Sequence, residues 1–174
     1  MVHSAVSSGN PHNWELELLR QLPLFGHRNW IVVADAAYPA QSNPGIETGV
    51  ADADQIQVLC KVQAAMATRR HIHAKIYTDV ELEFVEESDA PGVSEYRRQL
   101  DGLLHRSDRR QLPHEQIIAK LDQCARMFRV MIVKTDLMLP YSSVFFELDC
   151  GYWTSEAERR LRHAMLQGPV PTVG

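Results

Sequence analysis

A three-layer α/β/α domain with a largely parallel central sheet is the fold class that the 174-residue sequence predicts. Three observations carry the prediction. Short, nearly continuous apolar runs, "NWIVVADA" and "RVMIVKTD", have the composition of strands buried on both faces. Segments with apolar residues at helical spacing alternate with such strands along the chain. No internal repeat or low-complexity linker divides the sequence, so residues 1–174 read as a single domain of a length that suits one core.

Each element can be justified in order. Residues 1–12, "MVHSAVSSGNPH", lack periodicity and are expected to be flexible. "NWELELLRQLPLF" places Trp14, Leu18, Leu19 and Leu22 at helical spacing and ends near Pro23. After the strand "NWIVVADA", the stretch "AYPAQSNPGIETGVADA" is rich in Pro, Gly, Ser and Asn and reads as a long loop. "DADQIQVLCKVQAAMATRR" returns to helical spacing, capped by Asp52 or Asp54, and "IHAKIYTDVELEFV" reads as one or two strands. "VSEYRRQLDGLLHRSD" is a polar helix with a thin apolar stripe. "LPHEQIIAKLDQCARMF" is a stronger one, with Pro113 at its start and Ile117, Leu121, Cys124 and Phe128 repeating helically. "RVMIVKTD" and "SSVFFELDC" are the last strands. The tail "TSEAERRLRHAMLQ" opens with capping-box spacing from Ser155 to Glu158, making residues 154–174 a C-terminal helical extension.

Bulk properties narrow the function. A formal net charge of −4 gives no general attraction to nucleic acid or anionic lipid, and the basic clusters "ATRRH" and "HRSDRR" have acidic neighbours. Cys60, Cys124 and Cys150 are scattered and odd in number, so no disulfide framework or CxxC motif is expected; Cys60 and Cys124 read as small buried hydrophobes. The first residues lack the basic and apolar regions of a signal peptide, and no apolar run approaches a membrane span. A cytoplasmic protein without nucleic-acid or membrane partners is the expectation.

Ligands of open α/β sheets bind beyond the carboxyl ends of the strands, which is where Asp35 falls. His27 precedes the same strand, and a strand of about seven residues spans ~23 Å. Either the backbone bends or the site is shared between subunits. "DAAYPAQSNPG" is neither a GxGxxG turn nor a P-loop, and neither a GxSxG elbow nor an HExxH pair occurs. His71 and His73 of "HIH" could give two imidazoles on one strand face, but without a convincing third ligand a polar strand edge is the better account, and no metal is expected. His114 heads a helix, and Tyr141 and Ser143 stand two residues apart at a strand's start.

These segments together resemble one family. "GHRNWIVVADAAYP" resembles the opening of the D-ribose pyranase and L-fucose mutarotase family, where Gly-His precedes a strand that ends in Asp-Ala, with a proline shortly after. The eight positions from His27 to Asp35 match, "HEQ" at His114 resembles the same tripeptide of the pyranase branch, and "PYSSVFF" resembles the family's Pro-Tyr-x-Asn segment. The resemblance runs from about Leu22 to about Cys150. It implies an α/β fold, homo-oligomeric rings that are commonly decamers, and no cofactor. It implies His27 as catalytic acid/base, Asp35 binding a sugar hydroxyl or orienting the histidine, and His114, Tyr141 and Ser143 completing a monosaccharide pocket. The chain departs from the family at Asn29, where an acid is usual, and at Ser143, where asparagine is usual.

The implied reaction opens a sugar hemiacetal and closes it again, changing the anomer or the ring size. It suits a histidine, which exchanges protons near neutrality, and needs neither metal nor redox cofactor. Tyr38 or Trp153 could pack on the sugar's apolar face. A sugar-binding or regulatory relative without turnover is the alternative, and a metal enzyme built on His71 and His73 a third reading.

Overall fold

The computed structural model describes residues 13–168. The flexibility expected of residues 1–12 and the end of the expected C-terminal extension, 169–174, lie outside the described residues. In chain order the elements are α1 (Asn13–Gln21), β1 (Trp30–Ala34), β2 (Ile46–Val50), α2 (Gln55–Ala67) and β3 (Ile72–Asp79). After a 3-10 turn (Val80–Phe84) come α3 (Val93–Leu104), β4 (Asp108–Leu112), α4 (His114–Ala125), β5 (Val130–Lys134), β6 (Val144–Cys150) and α5 (Ser155–Gln167).

Six strands form one sheet in the order β2-β5-β1-β6-β3-β4. Pairs that exclude β6 are parallel, whereas β6 runs antiparallel between β1 and β3. The sheet therefore has a carboxyl edge, where five strands end and β6 begins, and an amino edge, where they begin and β6 ends. Because side chains alternate along a strand, β1 and β6 fill both faces. Ile31, Val33, Phe146 and Leu148 pack beneath α1, α2 and α3 through Leu18, Leu59, Val62 and Leu100. Trp30, Val32, Ala34 and Phe145 pack beneath α4 through Ile117 and Leu121. Burial of each large side chain is worth about 1.5–3 kcal/mol, so the centre of the sheet is the rigid part. The three layers are those predicted.

Several local readings are corrected. The expected long loop after β1 contains β2, and the "DRRQL" segment is β4; each is an outer strand hydrogen-bonded on one side only. Backbone pairing rather than apolar content makes them strands, so hydrophobic patterning did not reveal them. Gly49 lets β2 lie against α1, since a Cβ there would stand 3.2 Å from the Trp14 Cβ. Asp54 is the α2 cap, accepting from Gln57 N–H at 3.1 Å. For α5, however, the cap is Thr154 rather than Ser155: its hydroxyl accepts from Ala157 N–H at 3.1 Å. Glu158, one position too far along for a capping box, instead accepts from Trp153 Nε1 and Arg162 Nε. Cys60 is exposed and Cys124 half-buried, with its thiol 2.8 Å from the Arg28 carbonyl.

Candidate functional site

At the amino edge, the turn before β1 is closed by Asn29. Its Oδ1 accepts from Gly26 N–H at 2.8 Å, and its amide donates to the Arg129 carbonyl at 3.2 Å. Arg28 adopts a left-handed φ of 76°, a conformation that costs a non-glycine residue of order 1 kcal/mol. Its N–H donates to the Leu148 carbonyl at 2.9 Å, so pairing with β6 holds the turn. The turn aims His27 at the end of β6, with Nδ1 2.7 Å from Asp149 Oδ1. Arg28 Nε lies 3.3 Å from His27 Nε2. A guanidinium can only donate, so Nε2 carries the lone pair and Nδ1–H points to Asp149. Lys75 Nζ meets the other Asp149 oxygen at 2.5 Å, and Cys150 N–H donates to Oδ1 at 2.8 Å. Desolvation opposes ionisation of Asp149, but Lys75, the Cys150 N–H and His27 outweigh it and hold the carboxyl well below the usual carboxylate range. Beside His27, Arg28, Trp30, Lys120, Cys124 and Glu147 line a groove of about 370 Å³ against α4.

At the carboxyl edge, Asp35 follows β1 directly. Its Oδ2 accepts from the Ser143 hydroxyl at 2.8 Å and its Oδ1 from Ala37 N–H at 2.9 Å. His114 opens α4, and its Nδ1 lies 3.0 Å from Oδ2 of Asp79, the last residue of β3. Both Glu81 oxygens lie 3.0 Å from the His114 N–H, supplying the helix start with an acceptor that the preceding proline lacks. Tyr141 stands edge-on to the His114 ring, centroids 5.7 Å apart. The Asp79 side chain is only 1% exposed. Burial pushes its carboxyl up to about 6; His114 works against that, while the charges of Glu81 and Asp35 reinforce it. Asp79 Oδ1 and the Tyr38 hydroxyl are both buried without a hydrogen-bond partner among the described residues. Burial, with the charges of Asp122, Asp79 and Asp35, raises Tyr38 to about 12.

A buried polar network fixes this edge from below. Gln55 Nε2 donates to the Tyr96 hydroxyl at 2.8 Å and to the Ser142 carbonyl at 2.5 Å; the Tyr96 hydroxyl donates to that carbonyl at 2.6 Å. Thr135 Oγ1 donates to Gln55 Oε1 at 2.8 Å. The clamped peptide lies between Tyr141, which has a left-handed φ of 55°, and Ser143. Arg28 and Tyr141 are the only non-glycine residues with positive φ among those described, one in each polar cluster. Such strain persists where surrounding structure over-determines it and gathers at functional sites.

Asp35, His114, Tyr141 and Ser143 are thus brought together at one edge. His27 is at the other edge of the same sheet, because β1 runs straight between Asp35 and the His27 turn. Sequence reasoning missed Asp79, Asp149 and Gln55. Asp79 and Gln55 carried a faint signal, an acid at a strand's carboxyl end and a glutamine on the apolar face of a helix. Tyr38 is buried, its ring 6.4 Å from that of Phe145, so it offers no open stacking face. Trp153 follows β6 and is itself half exposed. His71 Nε2 lies 3.0 Å from the Phe25 carbonyl, and no group of three or more His, Cys, Asp or Glu side chains able to hold a metal occurs among the described residues. No helix of the described residues is long and apolar enough to cross a membrane.

A six-stranded α/β sheet with one antiparallel strand and polar clusters at both edges defines the class of protein. The RbsD / FucU transport protein family matches residues 12–151, and the chain belongs to that family. α5 lies beyond the matched residues and buries no side chain. Among solved structures, RbsD of Bacillus subtilis complexed with D-ribose superposes with a TM-score of 0.52 at 18% identity, covering 86% of this chain and 97% of that one. The fucose mutarotase of Streptococcus pneumoniae in complex with L-fucose gives 0.52 at 21% identity, covering 82% and 97%. FucU from Bifidobacterium longum gives 0.51 at 15% identity, covering 77% and 94%. At these identities the likeness is one of fold. No curated protein matches the chain.

Proposed function

We propose that the chain is a monosaccharide mutarotase or pyranase that interconverts anomeric or ring forms of a free sugar, working in the cytoplasm as a ring-shaped homo-oligomer. The observation that carries the reading is the carboxyl-edge cluster of Asp35, Ser143, His114 and Tyr141, which gathers hydroxyl-binding groups where an α/β sheet binds ligands. Family membership and neighbours solved with D-ribose and L-fucose support it.

Proton transfer needs heavy atoms within ~2.6–3.2 Å. His27 and Asp35 are separated by the length of β1, whose five residues alone span roughly 16 Å at about 3.3 Å per residue. One sugar therefore cannot reach both within one chain, and His27 of a neighbouring copy completes the site. There it exchanges a proton with the sugar as the ring opens and closes, its Nδ1 held by Asp149. Asp35 binds a sugar hydroxyl, and Tyr141 donates to or accepts from another.

The test is NMR saturation transfer between anomers across a panel of pentoses and hexoses. His27→Ala, at an exposed side chain, is expected to fold normally and to slow exchange by about 100-fold or more. Asp35→Asn is expected to be impaired as well. Mixing the two impaired variants under subunit exchange should restore part of the rate, since some contacts then pair an intact His27 with an intact Asp35. No acceleration of any sugar by the unmodified chain would overturn the catalytic reading. Ser143 directs its hydroxyl to Asp35 rather than outward, which favours a second reading, a binding protein without turnover. Calorimetric sugar binding without exchange would select that one.

A further inference from the structure

Ring opening moves two protons. One leaves the anomeric hydroxyl and one reaches the ring oxygen, on separate atoms of the sugar, so a single histidine cannot serve both at once. The carboxyl edge supplies a second histidine whose surroundings differ from those of an ordinary helix-start residue. His114 is held at both ends: its backbone N–H by Glu81 and its ring Nδ1 by the buried Asp79. Its Nε2 makes no hydrogen bond to another described residue, and the side chain is 32% exposed. Tyr141, in its left-handed conformation, meets the ring edge-on and fixes its plane.

We infer that Asp79 and His114 form a second proton-transfer centre for ring opening, with Asp79 as the positioning residue that fixes the His114 tautomer. The inference rests on the function proposed above. An ionised Asp79 only accepts, so Nδ1 of His114 carries its hydrogen and Nε2 presents a lone pair. Nε2 takes the anomeric O–H proton as the C1–O bond to the ring oxygen breaks, and C1 becomes the aldehyde carbon. The ring oxygen takes a proton from Nε2 of the neighbouring copy's His27 in its imidazolium form, in which Nε2 has given up its contact with Arg28 while Nδ1–H stays on Asp149. One histidine has gained the proton that the other has lost. Closure on the opposite face of the aldehyde reverses both transfers, so no proton or electron is left over and no co-reactant is needed. The groups that face Asp79 are His114 of α4, Glu81 of the 3-10 turn, and Asp35 and Tyr38 beyond β1. The two carboxylates beside it oppose its ionisation, and the imidazolium formed on His114 during turnover favours it.

Two variants test this. Asp79→Asn keeps an acceptor without the charge; Asp79→Leu removes the acceptor. Saturation transfer measured against sugar concentration is expected to show kcat lowered roughly 10-fold by the first and ~100-fold by the second, with calorimetric sugar affinity changed by less than about threefold. Nitrogen-15 spectra should show His114 as the Nδ1–H form in the unmodified protein and shifted toward Nε2–H in Asp79→Leu. A purely structural role would lower affinity with kcat and leave the tautomer unchanged. If Asp79→Leu does not fold, Asp79→Asn decides alone. Wild-type kcat in the folded variant, with the unmodified chain active, overturns this inference and leaves the proposed function standing. An unmodified chain that exchanges no sugar removes both.

Discussion

The two edges of the sheet carry the same pair, a histidine with its Nδ1 beside an aspartate, in opposite settings. At the amino edge, Asp149 is 22% exposed and shares Lys75, a backbone N–H and His27. At the carboxyl edge, Asp79 is sealed off, with one oxygen on His114 and the other without a partner among the described residues. Two environments drive the two carboxyls apart, one below its usual range and one up to about 6. Like pairs so separated can divide acid and base work between them. In both pairs the aspartate that meets the histidine's Nδ1 is far away in the chain.

The contrast can be broken from either side. The largest stability effect is expected at Asp79. Its folded pKa stands above the unfolded value near 3.9, so the native state binds the extra proton and the buried charge is unfavourable above pH 6. Asp79→Asn should therefore stabilise the protein at pH 7–8 by up to about 3 kcal/mol. The gain should shrink as pH falls from 6 toward 4, read by urea denaturation across that window. Gln55→Leu removes one of the two donors to the Ser142 carbonyl, the donor to the Tyr96 hydroxyl and the nearer acceptor of the Thr135 hydroxyl, which keeps only the Ala34 carbonyl; a loss of about 2 kcal/mol in the same assay is expected. Asp149→Asn runs opposite to Asp79→Asn. A carboxyl with a lowered folded pKa stabilises above its unfolded value, so removing it should cost about 1–2 kcal/mol at pH 7 and progressively less as pH falls below 4. Smallest of all, Arg28→Gly relieves the left-handed φ but frees the unfolded chain; a net change within about 1 kcal/mol is expected, with His27 less well aimed. Equal pH dependence for the two aspartate variants would erase the distinction between the edges.

Much of this was legible in the sequence, and the limits have physical causes. Continuous apolar runs marked β1, β5 and β6, and helical spacing marked α1 to α4, because burial on defined faces writes a period into the chain. β2 and β4 wrote none, since an outer strand needs only backbone pairing. His27, Asp35, His114, Tyr141 and Ser143 stood out through the motifs around them. Asp79 and Asp149 did not, because what makes them matter is contact with histidines 35 and 122 residues away. The spacing from His27 to Asp35 did announce their separation, since a histidine before a strand and an aspartate after it stand at opposite ends of that strand.

β6 has a consequence for how the edges move. It begins right after Ser143 at one edge and reaches Asp149 near its end at the other, bonded on both sides by β1 and β3. A slip of one residue would turn every side chain of the strand to the opposite face, uncoupling Ser143 from Asp35 and Asp149 from His27 in the same event. The strand thus works as a gauge bar: neither half can be retuned by sliding it without the other registering the error.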